Sequence, residues 1–458
     1  MIKFCNEEIK YLALELPDSV KHYKYNGDFE GEISEIDRCL SSDLLPALRR
    51  RLDIERVIAE GMRHDYTADF AALLAKIQTR YPACGERELR EIISMGQADY
   101  ILRSGEPYFQ NSAASNIFNC HKTYLERLTH PDFAPDTASD AMRMQNVEIM
   151  RQNGGRAFRF TVEESLEVAQ NAERVGERIR VHLPYPAPCQ SQDPEDIKLI
   201  ECSHDSYFIS DAVHRTICID TKYRAGERFL VKFSYVNRAR FVQPDAAAVD
   251  AVQPSFYTEQ LYPHIRFTPL VRELAQHIAG DEKNPFLLAR RAYDWVTKNV
   301  KYSYMREYLY IDNIVEFAIL NRRGDCGVMA ALFITLCRYM GIPARFESGS
   351  AVKPDDIGSH DWATFYIAPY GWLYADPSYG GGALRRGNEA LWNHYFGNLD
   401  PFRMVANNDF QQSFDPPKAF MRMDPYDNQS GEAEFETVGL GKFDTKRQRS
   451  VISAEEIV

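Results

Sequence analysis

The chain has no C-x-x-C pair, no His/Cys cluster with metal-ligand spacing and no uninterrupted apolar stretch of about 18 residues. The first two absences argue against a structural zinc site or a metal hydrolase, so no metal or cofactor is expected. The third leaves no transmembrane span to propose. Basic charge is in the minority: 54 Lys and Arg against 66 Asp and Glu give a net charge of −12. Nucleic acid and anionic membrane both require a basic footprint, so neither is an expected partner. The run Arg49-Arg50-Arg51 reads as one solvated helix face. Met1 to Leu16 contains acidic residues and no apolar core of signal-peptide length. Nine cysteines, an odd and scattered set, fit reduced thiols better than a disulfide framework. A cytoplasmic, reducing setting is the expectation. Internal repeats and low-complexity tracts are absent as well.

What is present suffices for sizeable cores: 45% hydrophobic and 26% charged residues. At 458 residues, two or three domains are expected. Residues 1–152 read as a helical domain. Phe70, Leu73, Leu74 and Ile77 recur at one helix face, Leu89, Ile92 and Ile93 suggest another helix, and Ser42/Asp43 offers an N-cap ahead of Leu44, Leu45 and Leu48. Gln152-Asn153-Gly154-Gly155 marks a boundary. Residues 155–248 carry short alternating runs at Arg156–Val162, Glu177–Leu183, Arg215–Thr221 and Arg228–Tyr235, separated by Pro- and Gly-rich turns, which predicts a β-sandwich. Residues 257–405 mix elements. Asn284-Pro285 predicts a capped helix, and a second helix runs from Cys326 to Met340, closed by Gly341 and Pro343. Strands follow at Ala344–Val352, Asp361–Ile367 and Gly371–Asp376. Residues 406–458 read as a polar, weakly patterned tail with one strand near Ala433–Val438.

The chemistry concentrates in the third segment. Cys326 stands where a Gly-containing loop, Arg322-Arg323-Gly324-Asp325, meets a helix N-terminus. Free N–H groups and the helix dipole there stabilise a thiolate and can receive an oxyanion. Cys337, mid-helix beside Leu336 and Met340, reads as core. His360 opens an aromatic strand, and the turn Ala368-Pro369-Tyr370-Gly371 folds that strand back on the next. His360 and Asp376 lie equally far in sequence from Ala368, so a hairpin brings them to one face within a residue or two of register. A carboxylate placed so orients an imidazole for proton exchange with a thiol.

These motifs closely resemble those of transglutaminase-like proteins. The resemblance runs through Arg323-Gly324-Asp325-Cys326-Gly327, Ala330-Ala331-Leu332-Phe333, Gly341-Ile342-Pro343-Ala344-Arg345, His360-Asp361-Trp362 and Gly371-Trp372-Leu373-Tyr374-Ala375-Asp376-Pro377. Tyr293-Asp294-Trp295-Val296 with Val300-Lys301-Tyr302 is similar to the entry of that domain. The likeness covers roughly residues 257–402. It implies an α+β fold: a papain-like core with the nucleophile's helix packed on an antiparallel sheet. It also implies Cys326 as nucleophile, His360 as general base and then acid, and Asp376 as the orienting carboxylate. The segment around Val181-His182-Leu183-Pro184 is more loosely similar to a β-domain that precedes the core in many bacterial members. Asp361 departs from the small residue common after the histidine; strand alternation points it away from His360, and it reads as tolerated. Tyr302, Tyr304, Tyr310 and Asn313 are candidates for a side-chain oxyanion donor. Trp362, Trp372 and Tyr310 are candidates for substrate contact, and Gly380-Gly381-Gly382 for a flexible loop.

The implied reaction is acyl transfer through a thioester on a protein or peptide substrate. Water as acceptor makes a peptidase or amidase; a lysine amine makes a cross-linking transglutaminase. Asp193-Pro194-Glu195-Asp196 and Asp355-Asp356 lack EF-hand spacing, and hydrolysis is the expected outcome. A glycan-releasing amidase would carry zinc-binding C-x-x-C pairs. The alternative of another class is a non-catalytic binding or scaffold protein that keeps the fold.

Overall fold

The computed structural model describes residues 3–96, 98–134 and 140–457. The N-terminal third is mainly helical, yet it does not form one separate core. Phe4, Ile9, Leu12, Ile54 and Ile58 share a cluster with Val296, Leu309 and Phe333 of the third segment. Leu73, Ile77, Leu89, Ile92, Phe109 and Leu125 form a smaller cluster of their own. That cluster includes a small antiparallel sheet, ordered β1-β3-β2, from β1 (Tyr66–Ala68), β2 (Tyr100–Arg103) and β3 (Glu106–Gln110). Sequence periodicity showed only the helices. The cap expected at Ser42/Asp43 is also displaced: the helix spans Pro46–Asp65 with exposed Leu45 at its N-cap. Proline fits the first helical position because it has no N–H to leave unpaired.

The predicted β-sandwich strands are present as β4 (Gly155–Val168), β5 (Arg178–Pro184), β8 (Thr216–Lys222) and β9 (Arg228–Arg240), with β6 (Lys198–Cys202) and β7 (Tyr207–Ile209) between them. Alternate residues Phe160, Val162 and Leu166 of β4 meet Ile179, Val181, Ile219 and Phe233 in the core.

In the third segment, Asn284 caps the helix Pro285–Asn299, its Oδ1 accepting the N–H groups of Phe286 and Leu287 at 3.0 and 3.2 Å. Just beyond, β10 (Lys301–Tyr302) pairs in parallel with β11 (Arg323–Gly324) and ties down the loop ahead of Cys326. The helix Cys326–Tyr339 is apolar on every side and buried along nearly its whole length, as a central helix must be. Gly341, at φ 78°, takes the left-handed conformation that ends it. The helix lies on an antiparallel sheet ordered β15-β14-β13-β12-β16, from β12 (Ala344–Lys353), β13 (Asp356–Ile367), β14 (Gly371–Ala375), β15 (Phe396–Gly397) and β16 (Arg403–Asn407). Phe333 meets Phe365 edge-on at 5.6 Å, and burying a ring of this size contributes about 2 kcal/mol. This is the α+β, papain-like arrangement of helix on antiparallel sheet.

The polar tail proves structural. β17 (Glu432–Phe435) and β18 (Thr445–Ile457) complete the two sandwich sheets, ordered β17-β5-β8-β7 and β18-β4-β9-β6. β18 runs antiparallel to β4 from Thr445↔Val168 to Ile457↔Ala157. Its first half is all polar and charged and its few apolar residues follow no clean alternation, as suits an edge strand, so it gives only a weak apolar signal. The Gly380-Gly381-Gly382 run, expected as a loop, lies inside the helix Pro377–Arg385. Gly380 belongs there for close approach: an added Cβ would lie 1.7 Å from Tyr293 Oη.

Candidate active site

Cys326 is the first residue of its helix, and Asp325 is the N-cap, accepting the Val328 N–H at 3.1 Å. Asp325 also accepts the Tyr308 hydroxyl at 2.5 Å. The thiol of Cys326 donates to Asp361 Oδ2 at 3.3 Å. Strand alternation accounts for the partner. Asp361, Ala363 and Phe365 of β13 face the Cys326 helix, whereas His360 and Trp362 point to the opposite face. The expectation that Asp361 turns away from His360 therefore holds, but the face it turns to is the one that bears the thiol. Among the described residues the thiol's hydrogen bond goes to Asp361 and not to His360.

His360 and Asp376 meet as the hairpin argument requires. The observed register pairs Ala363 with Ala375, so continuing it one step would set Asp376 opposite Trp362, two residues from His360 on the same face. Asp376 leaves the sheet there to cap the helix Pro377–Arg385, accepting the Tyr379 N–H at 2.9 Å through Oδ1. Its Oδ2 lies 2.7 Å from His360 Nε2 and 3.0 Å from Arg403 Nη1. Arg403 is fully buried and also pairs with Asp400 at 3.0 Å. The His360 ring stacks on Tyr379 with 4.3 Å between centroids.

Burial dominates the electrostatics. It pushes the Cys326 thiol up, and the nearby charges of Asp361 and Asp325 push it further. Asp361 is raised first by burial and then by Asp325. His360 is lowered by burial, against the opposing pull of Asp376. Burial would raise Asp376 too, but the charges of His360 and Arg403 outweigh it and hold the carboxyl at about 2. The closed site thus keeps a protonated thiol beside a carboxyl that resists ionisation. The cover is the chain after Met423. Gln429 Nε2 donates to Asp361 Oδ1 at 2.5 Å, and Asn428 N–H donates to Ser348 Oγ at 3.3 Å. Cys326 is left 8% exposed.

The remaining candidates are dispersed. Trp362 is fully buried, its indole N–H donating to Glu347 at 2.8 Å, and serves the sheet's packing. Trp372 lies under the Arg345 guanidinium at 4.4 Å and against Phe256 and Tyr257. Tyr310 lines a cavity of about 340 Å3 with Val57, Leu309 and Met421. Asn313 is committed to capping the helix Ile314–Asn321. Tyr302 lies near the nucleophile, as Tyr308 does: its hydroxyl is raised by burial first and then by Cys326 and Asp325. Asp361, Gln429, Tyr308 and Arg403 did not stand out in the sequence as site residues. Only Asp361 left a trace there, as a carboxylate where the motif has a small residue. Among the described residues no group of three or more His, Cys, Asp and Glu is placed to hold a metal ion, and no helix is long and apolar enough to cross a membrane.

Residues 272–377 match the transglutaminase-like superfamily. An uncharacterised protein of Haemophilus influenzae is 28% identical over 143 residues, covering 25% of this chain and 37% of that relative. The chain therefore spans little more than a third of the length of the curated relative it matches. Among solved structures, a candidate cysteine protease from Cytophaga hutchinsonii aligns with a TM-score of 0.38 and 16% identity, over 66% of this chain and 91% of that one. The periplasmic domain of TgpA from Pseudomonas aeruginosa aligns with a TM-score of 0.26 and 15% identity, over 54% of this chain and 95% of that one.

Proposed function

We propose that the transglutaminase-like domain at residues 272–377 performs cysteine-dependent hydrolysis of peptide or amide bonds, and that this structure is its covered, resting state. The observation that carries the reading is the Cys326 thiol, set at a helix N-terminus and hydrogen-bonded to the Asp361 carboxyl at 3.3 Å. Once the Gln429 segment moves aside, water reaches both groups and the burial that disfavours their charged forms is relieved. The sulfur then attacks the substrate carbonyl, its proton passes to Asp361, and the oxyanion meets the helix N-terminal N–H groups. The proton goes on to the leaving amine, and water, deprotonated by the same carboxylate, cleaves the thioester. Support for water as acceptor is the lack of an acidic loop with calcium-ligand spacing.

A second reading of the proton acceptor rests on the 2.7 Å His360–Asp376 pair. In it His360 swings to the thiol on uncovering, and Asp361 only holds the resting state. The two separate cleanly. The parent, Cys326→Ser, Asp361→Asn and His360→Gln are incubated with a peptide library, with and without an amine acceptor, and products are read by mass spectrometry. Hydrolysed peptides from the parent and none from Cys326→Ser are expected. Loss in Asp361→Asn with activity kept in His360→Gln favours the first acceptor, and the reverse favours His360. Amine adducts in place of hydrolysis would overturn water as the acceptor, and no products at all would point to a scaffold.

A further inference from the structure

The inner face of β4 runs Phe158, Phe160, Val162, Glu164, Leu166, so a carboxyl occupies a core-facing position in an otherwise apolar row. Glu164 is 2% exposed, and its Oε1 has no hydrogen-bond partner. A buried acceptor left unpaired costs stability, which makes it a pointer to an absent ligand. Directly across the ladder, β18 sets Arg449 opposite Glu164 and Arg447 opposite Leu166. Among the described residues neither guanidinium has a carboxylate within ion-pair distance. Among the described residues Arg447 hydrogen-bonds to the Met423 thioether and the Lys442 carbonyl, a poor set for five donors. Burial lowers its affinity for its own proton.

Glu164, Arg447 and Arg449 line one cavity of about 330 Å3, which Glu307, Asp424 and Lys442 line as well. Lys442 and Glu307 neutralise each other at 2.7 Å. A relay of hydrogen bonds links the cavity to the nucleophile. Arg449 donates to the Gln429 carbonyl at 2.7 Å, and Gln429 donates to Asp361, which holds the Cys326 thiol. Arg449 also donates to Ser350 and Ser359, on β12 and β13 beside the site.

We propose that this cavity is a substrate subsite for a peptide carboxylate, with Arg447 and Arg449 binding the carboxylate and Glu164 Oε1 accepting the adjacent amide N–H. Glu164 Oε1 and the poorly partnered Arg447 then each gain a partner of matching chemistry. A terminal residue of a peptide chain offers both in one unit, and an Asp or Glu side chain beside its own backbone N–H offers the same chemistry. Carboxylate binding on Arg449 competes for the guanidinium that now anchors Gln429, so filling the subsite loosens the cover on Asp361. The inference rests on the hydrolase reading for its meaning, but its test does not need turnover.

The test uses the full chain carrying Cys326→Ala, which binds without cleaving. Fluorescence anisotropy is measured with amino-terminally fluorescein-labelled random pentapeptides, prepared as free acids and as carboxy-terminal amides. Amide pools containing Asp and Glu, or Asn and Gln in their place, form the third and fourth arms. The free-acid or the Asp/Glu pool should bind about tenfold to a hundredfold tighter than its uncharged counterpart, and whichever shows the gap identifies the source of the carboxylate. Arg447→Gln should close most of that gap, whereas Glu164→Leu, which removes the acceptor, should weaken charged and uncharged pools alike, with folding checked by circular dichroism. Equal binding of charged and uncharged pools, or no binding by any pool, overturns the subsite. So does a preference that survives Arg447→Gln, or binding of every pool that is unchanged in Glu164→Leu. None of these results bears on whether Cys326 hydrolyses amides.

Discussion

Glu164 allows the physical account of the sandwich to be tested without knowing the substrate. Its carboxyl is pushed up from the ordinary 4.5 to about 7 by burial, with Arg449 opposing. The folded value lies above the unfolded one, so the stability it contributes is present below about pH 4.5 and lost as pH rises to about 7. Ionising the group in place costs roughly 3 kcal/mol by pH 8 to 9. Glu164→Gln keeps the shape and cannot ionise. The variant should match the parent within about 1 kcal/mol at pH 4 and exceed it by roughly 3 kcal/mol near pH 9. Urea unfolding followed by both tryptophan fluorescence and circular dichroism measures the difference, at pH values where the two probes coincide. A stability difference that does not change with pH would refute the reasoning, because it would mean that Glu164 is either solvated or paired in the folded protein.

Arg403→Gln should destabilise the fold by about 3–5 kcal/mol, because Asp376 and Asp400 lose a buried cation. Asp376, held at about 2, stabilises the fold above about pH 3.8, and that contribution fades as pH falls towards 2. Weakening this acid limb in Arg403→Gln, read by acid titration of circular dichroism, checks the assignment. Gly349→Ala places a Cβ 2.0 Å from the Met404 carbonyl, a backbone atom that cannot rotate away. It should cost about 2 kcal/mol or more, seen as a lowered melting temperature. Because Gly349 sits opposite His360 across β12 and β13, the His360 ring signals in NMR should shift as well.

Local signals in the sequence were sufficient wherever a residue's role depends on its near neighbours. The start of the Cys326 helix, its end at Gly341, the Asn284 cap and the tight turn that sets His360 beside Asp376 all follow from backbone chemistry over a few residues. Four sandwich strands, β4, β5, β8 and β9, were legible because they bury one face, and burial imposes a period of two; the short β6 and β7 were not.

Tertiary structure alone decided which side chain meets the thiol. His360 and Asp361 differ by one position in β13, and only the packing of the Cys326 helix on one face selects Asp361. It also decided the fate of the polar tail. Residues 445–457 pair with a strand nearly 300 positions earlier, a contact between distant segments that no local pattern encodes. The same long-range pairing sets Arg447 and Arg449 against Glu164 and carries Gln429 over the site. Cys326 at the head of its helix was determined by sequence; its burial, its carboxyl partner and its cover exist only once the helix, β13 and the segment that carries Gln429 are packed together.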